Sequence, residues 1–177
     1  MRFWRWLGVV AIIGLGYEVY IHAGLSYSSV KPKNSRIVFA ATNSPRESTA
    51  IVTRVVDGDT IVIDTGEKVR YIGMNTPESV DPRRPVQCFG KEASEYNKQL
   101  VTGKKVRLVK DVSETDKYGR LLRYVYLEDG TFVNEKLVRD GYASVMTIPP
   151  DVQLSNIINA AEREARADRR GFWAACK

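Results

Sequence analysis

The spacing of apolar positions changes twice along this chain. Residues 1–17, MRFWRWLGVVAIIGLGY, set Arg2 and Arg5 ahead of an uncharged apolar run from Trp6 to Tyr17. From residue 51 the pattern becomes short β-branched runs, and after residue 150 it settles into a helical stripe. IVTRVV and TIVID flank Asp57-Gly58-Asp59, a hairpin signal. Thr65-Gly66 turns the chain into EKVRYIGM, so the first strands form a meander. Pro77, Pro82 and Pro85 then break the next stretch into a loop.

GKEASEYNKQLVTG reads as a helix, with Ala93, Tyr96, Leu100 and Val101 on one face and Gly103 placed to end it. KKVRLVKD predicts a fourth strand, and RLLRYVYLEDG a fifth that turns at Asp129-Gly130. NEKLVRDG predicts a short helix capped by Asn134 and stopped by Gly141. A last helix is expected over residues 151–170, its stripe made by Leu154, Ile157, Ile158, Ala161 and Ala165. The order β-β-β-α-β-β-α-α predicts an α+β domain over residues 50–177: a five-stranded Greek-key OB barrel with three helices. Such barrels place ligands on one face and the adjoining loops.

The N-terminal run reads as an export signal or a membrane anchor over residues 1–25. Trp6–Tyr17 is short for a span, which needs about 20 apolar residues. VYIHAGL, beyond Glu18, would extend it into a tilted anchor, whereas cleavage would fall near Ala23 or Ala40. The plain alternative is a buried amphipathic helix of the domain. Residues 26–49, rich in Ser, Thr, Asn, Pro and Lys, read as a flexible linker. The expected location is therefore secreted, or anchored with the domain outside the cytoplasm and the N-terminal segment in the membrane.

An apolar content of 44% is ordinary for a soluble core and excludes a multi-span membrane protein. The net charge of +6 suggests an anionic partner, but residues 1–49 contribute +4 of it (six Lys/Arg against two Asp/Glu). Nucleic-acid binding must therefore be argued from local groups. Cys88 and Cys176 are the only cysteines, an even count that in an exported chain favours a disulfide over metal binding. A bridge closing that loop is worth about 4–5 kcal/mol in the chain-entropy model. Two unrelated buried thiols are the alternative.

Charged residues that interrupt or end the apolar strands carry the chemistry. They are Asp57 and Asp59 at the first turn, Arg70 in the third strand, Glu78 after it, and Arg120 opening the fifth. Each has a plain reading: turn residues, a structural ion pair, a solvated arginine. As a set they suit phosphodiester hydrolysis. Guanidinium forks match the equatorial oxygens of a pentacoordinate phosphorus. A carboxylate can deprotonate the attacking water, and a hard cation on oxygen ligands can neutralise the phosphate.

VVDGDTIVI, RYIGMNTPES, FGKEAS, TDKYGR and VNEKLVRDGYA occur in an order and spacing that resemble the thermonuclease (staphylococcal-nuclease-like) family, over roughly residues 50–175. The resemblance implies a calcium-dependent OB-fold phosphodiesterase that acts on DNA and RNA and leaves 3′-phosphate products. It implies that Asp59 and the backbone carbonyl of Thr76 are calcium ligands and that Arg70 and Arg120 bind phosphate. Glu78 would act on the attacking water, with Lys117 and Tyr118 at the terminal phosphate of a nucleotide. Thr76-Pro77-Glu78 would then bend the chain so that Glu78 faces Arg70. There are two departures. Asn75 stands where the best-known member has a second metal-binding aspartate, a position that still offers the metal a carbonyl oxygen but one charge fewer, and Thr147 and Pro149 stand where it has nucleotide-flanking tyrosines, so base stacking there should be weaker. The other function classes are a catalytically silent OB module that binds single strands or a protein partner, and a membrane-tethered scaffold whose barrel only docks partners. A monomer is expected in every case.

Overall fold

The computed structural model describes residues 46–83 and 85–176. The signal or anchor segment expected over residues 1–25 lies outside them, as does the linker up to residue 45. Among the described residues no helix is long and apolar enough to cross a membrane.

Among the described residues, seven strands and four helices succeed one another: β1 (Glu47–Val55), β2 (Thr60–Ile63), β3 (Lys68–Tyr71), β4 (Met74–Asn75), α1 (Gly90–Val101), β5 (Lys105–Val109), β6 (Leu121–Leu127), α2 (Val133–Arg139), β7 (Ser144–Val145), α3 (Ser155–Ala167) and α4 (Phe172–Ala175). Five strands close a barrel in the order β1-β2-β3-β6-β5, with β5 returning to β1. The OB architecture expected from the strand pattern is therefore the one observed. Antiparallel pairs build most of it, and closure comes from a parallel pairing of β3 with β6, which sets Arg70 beside Leu122.

Alternation explains the core. Val52, Ile61, Val69, Val106, Leu108 and Val125 point inward and are essentially inaccessible to water. In β1 the alternation skips from Val52 to Val55 because a bulge lies between Val52 and Arg54, an extra residue that bends the strand around the barrel. That strand also starts at Glu47, ahead of the domain start expected at residue 50. Glu47, Ser48 and Thr49 pair with Val109, Leu108 and Arg107, so backbone hydrogen bonding recruits residues that no hydrophobic pattern marks.

Asn134 is not a helix cap, because α2 opens one residue earlier with Phe132 before it. Its buried amide instead accepts from Val125 N (2.9 Å) and donates to Ile72 O (2.9 Å), which fastens α2 to the β3–β6 closure. The last long helix begins at Ser155 rather than 151. Asp151 is committed elsewhere, accepting from the backbone N–H groups of Val112 and Ser113 (3.0 and 2.8 Å). After Gly171 a single turn, α4, adds a fourth helix to the three expected. β4 and β7 form a separate two-stranded sheet, with Met74 opposite Val145 and Asn75 opposite Ser144. Cys88, in the loop before α1, is bonded to Cys176 beyond α4, with a Cα–Cα separation of 6.0 Å.

Candidate active site

Backbone register assembles the site. Thr60 opens β2 opposite Arg70 of β3, and the parallel β3–β6 ladder brings Arg120, just ahead of β6, to the same end of the barrel. The β1–β2 turn lies beside them, with Gly58 packed against the Thr76 side chain. A Cβ at Gly58 would come 2.6 Å from Thr76 Cγ2, so no larger residue fits without moving that turn. Asn97 of α1 supports the turn from beneath, donating to Asp57 O (3.2 Å) while accepting from the buried Tyr71 hydroxyl (3.1 Å).

Asp59 is the hub. Its Oδ2 accepts from Thr76 N (3.1 Å) and Thr76 Oγ1 (3.2 Å) and pairs with Arg70 at 3.1 Å, while Oδ1 accepts from Thr60 Oγ1 (3.0 Å). Arg70 also donates to the Tyr71 and Met74 carbonyls, at 3.0 Å each, and to Asn75 Oδ1 at 2.9 Å. Asn75 in turn donates from Nδ2 to Thr76 O (3.0 Å). Arg120 is held differently. Asp116 takes its Nε and a terminal nitrogen, both at 2.7 Å, and another nitrogen reaches Thr60 Oγ1 at 3.3 Å. Thr60 thus links the carboxylate hub to the second arginine. Burial works to raise the Asp116 carboxyl, but hydrogen bonds from Arg120 and from the backbone of Arg120 and Tyr118 outweigh it and hold it below the ordinary range.

Glu78 stands on the loop after β4. Its Oε1 accepts from the backbone N–H groups of Val80, Ser79 and Asp81, at 2.9, 2.9 and 3.0 Å. The Val80 bond leads in drawing the carboxyl below its ordinary pKa, so Glu78 is ionised at neutral pH. Asp59, Arg70, Asn75, Thr76, Glu78, Tyr118 and Arg120 all line one cleft of about 410 Å³, with Asp57, Ser79, Gln87 and Met146. Lys117 does not line it. That residue borders an adjoining, more apolar cleft of about 540 Å³ that shares Arg70, Tyr118, Arg120 and Met146. Pro149 lines the second cleft with Ile148, and Thr147 is not among its lining residues. Cys88 and Cys176 line neither cleft.

Among the described residues no three His, Cys, Asp or Glu side chains converge as a metal cluster. A hard cation nevertheless suits the donors present. Burial first, and the negative charge of Asp59 second, push the Asp57 carboxyl up to about 6. Asp57, Asp59 and the Thr76 carbonyl are oxygen donors of the type calcium takes, completed by water. Asn75 commits its Oδ1 to Arg70.

Sequence reading passed over Asp116, Thr60, Asn97 and Gln87. TDKYGR places Asp116 four residues before Arg120 and could have suggested that pair; nothing in the sequence marked the others.

The fold and cleft define the class, an OB barrel with two arginines and a carboxylate hub at one end. The profile of the family described as staphylococcal nuclease homologue matches residues 68–175. The chain is 42% identical to the thermonuclease of Staphylococcus hyicus over 137 residues, 76% of this chain and 80% of that protein. It is 44% identical to the thermonuclease of Staphylococcus intermedius over 131 residues, 72% and 77% of the two chains. Endonuclease YncB of Bacillus subtilis (strain 168) is 42% identical over 125 residues, 68% of this chain and 59% of that protein. The chain belongs to the staphylococcal nuclease homologue family.

Proposed function

We propose that this nuclease cleaves DNA and RNA by water attack on the phosphodiester, depends on calcium, leaves 3′-phosphate products and works as a monomer outside the cytoplasm. Membership of the family makes the chain a nuclease with nucleic acid as its substrate. The observation that carries the mechanism is the convergence of Arg70, Arg120 and Glu78 on one cleft. It disfavours the catalytically silent module, which needs none of the three.

In this reading the phosphate sits against the two guanidinium forks, whose charge is complementary to oxygens that gain negative charge in the transition state. Glu78 keeps Oε1 on its own backbone, so Oε2 takes the proton from water. The water oxygen bonds to phosphorus as the P–O5′ bond breaks, and the 5′-oxygen departs as a hydroxyl, taking its proton from solvent. Asp57, Asp59 and the Thr76 carbonyl would hold the cation, which when bound supplies positive charge against the phosphate. Export rests on the N-terminal pattern and on the Cys88–Cys176 bond, which suits an oxidising compartment.

Incubating the purified protein with single-stranded DNA, with calcium and with excess chelator, tests this. Cleavage should require calcium and yield 3′-phosphorylated ends by mass spectrometry. Equal turnover in excess chelator sinks the metal-assisted mechanism.

A further inference from the structure

Gln87 is exposed, belongs to no core cluster, and yet brackets Glu78 from both sides. Its side-chain carbonyl accepts from Glu78 N at 2.8 Å, and its own backbone N–H donates to Glu78 O at 2.8 Å. Gln87 O then accepts from Gly90 N (3.0 Å), the first residue of α1. At Gly90 a Cβ would lie 2.5 Å from Glu78 O, so the helix start is packed directly on the same peptide. Between the two residues runs a loop whose Val80 and Val86 are half exposed. Cys88, the next residue, is tied to Cys176, so the outer end of this clamp is covalently anchored.

The carboxylate cannot correct for a displaced backbone. Oε1 is folded onto the N–H groups of residues 79–81, so side chain and main chain move as one body. Any shift of the Glu78 peptide is delivered to Oε2.

We propose that Gln87, which also borders the cleft, is a positioning residue for the catalytic carboxylate, acting through its hydrogen bonds to the Glu78 backbone. The proposal rests on the assignment of Glu78 as the base. Small errors in placing a reacting group cost about a hundredfold in rate for roughly 1 Å. Ground-state binding of the nucleic acid, which falls to the arginines, should be unaffected.

The test compares kcat and KM of the wild type, Gln87→Met, Gln87→Glu and Glu78→Gln on single-stranded DNA, with amide hydrogen exchange at Ser79, Val80 and Asp81. Gln87→Met keeps length but removes the acceptor. Its kcat should fall about tenfold to a hundredfold with KM within about twofold, and the three amides should exchange faster. Gln87→Glu keeps an acceptor oxygen and should recover most of both. Unchanged kcat in Gln87→Met, a rise confined to KM, or an equal loss in both variants overturns the proposal. Loss of folded protein in Gln87→Met does so too, by giving the residue a purely structural role. Wild-type turnover in Glu78→Gln would instead bring down the base assignment itself, whatever Gln87 does.

Discussion

The two sides of the cleft are built to different standards. On the floor, Asp59, Arg70, Asn75 and Thr76 form a closed circuit of hydrogen bonds, and the Arg70 and Asp59 side chains are only 11% and 8% exposed. On the rim, Tyr118 is 72% exposed, and Arg120 beside it is held by a partly buried pair with Asp116. Glu78 belongs to the rim by position, yet it is fixed through its backbone. The floor shows where geometry is set before substrate arrives. The rim shows where the polymer must enter and leave, and an enclosed wall there would exclude it. Both arginines are partly buried, but only Arg70 is tied into the closed circuit, so the two should differ in what they contribute to stability rather than to rate.

The largest effect should come from the residue that breaks this division. Glu78→Gln keeps shape but removes proton acceptance, so turnover should drop about 10²–10⁴-fold. Affinity for a non-cleavable single strand, measured by fluorescence anisotropy, should stay near the wild-type value. A matching loss of affinity would make Glu78 a binding residue.

The arginines test the comparison directly. Arg70→Lys and Arg120→Lys should each cost about 10²-fold in rate, since a point charge does not reproduce a planar fork on the transition state. Arg70→Lys should also destabilise the fold, by about 2 kcal/mol, because its fork satisfies two carbonyls, Asn75 and Asp59. Arg120→Lys should shift stability less, by about 1 kcal/mol, since what it loses is a partly exposed fork on Asp116. Denaturant titration separates them, and equal stability losses would erase the distinction between floor and rim.

Asn75→Asp is the finest probe of the floor. It adds a negative charge next to Asp59 and removes the N–H that now occupies Thr76 O. The calcium concentration for half-maximal cleavage should fall several-fold to about tenfold, while the maximal rate stays put. An unchanged midpoint would place residue 75 outside the reach of the ion.

Strand order and the glycine-marked turns were legible because alternation and turn chemistry are local. β4 and β7 were not, because two residues carry no period and their pairing is decided by tertiary contact. The start of β1 escaped for a related reason, since Glu47, Ser48 and Thr49 are strand by virtue of β5 alone. In the site, residues with distinctive chemistry, Arg70, Glu78 and Arg120, stood out where they interrupt apolar runs. Supporting residues did not: Thr60, Asn97 and Gln87 are ordinary polar residues until the fold sets them against Asp59, Asp57 and Glu78.

The bond from Cys88 to Cys176 divides the polypeptide into a covalent ring and a tail. The ring contains Arg120 and the exposed Lys117-Tyr118 turn, one place where a trypsin-like protease can cut. The tail carries Asp59, Arg70 and Glu78. A single cut within the ring leaves one molecule, its pieces joined by sulfur as well as by the barrel, whereas a cut between Glu78 and Cys88 severs Glu78 from α1. A nicked enzyme therefore keeps both arginines on one covalent body if the cut falls at Lys117, and loses that guarantee if it falls in the proline-rich segment after Glu78.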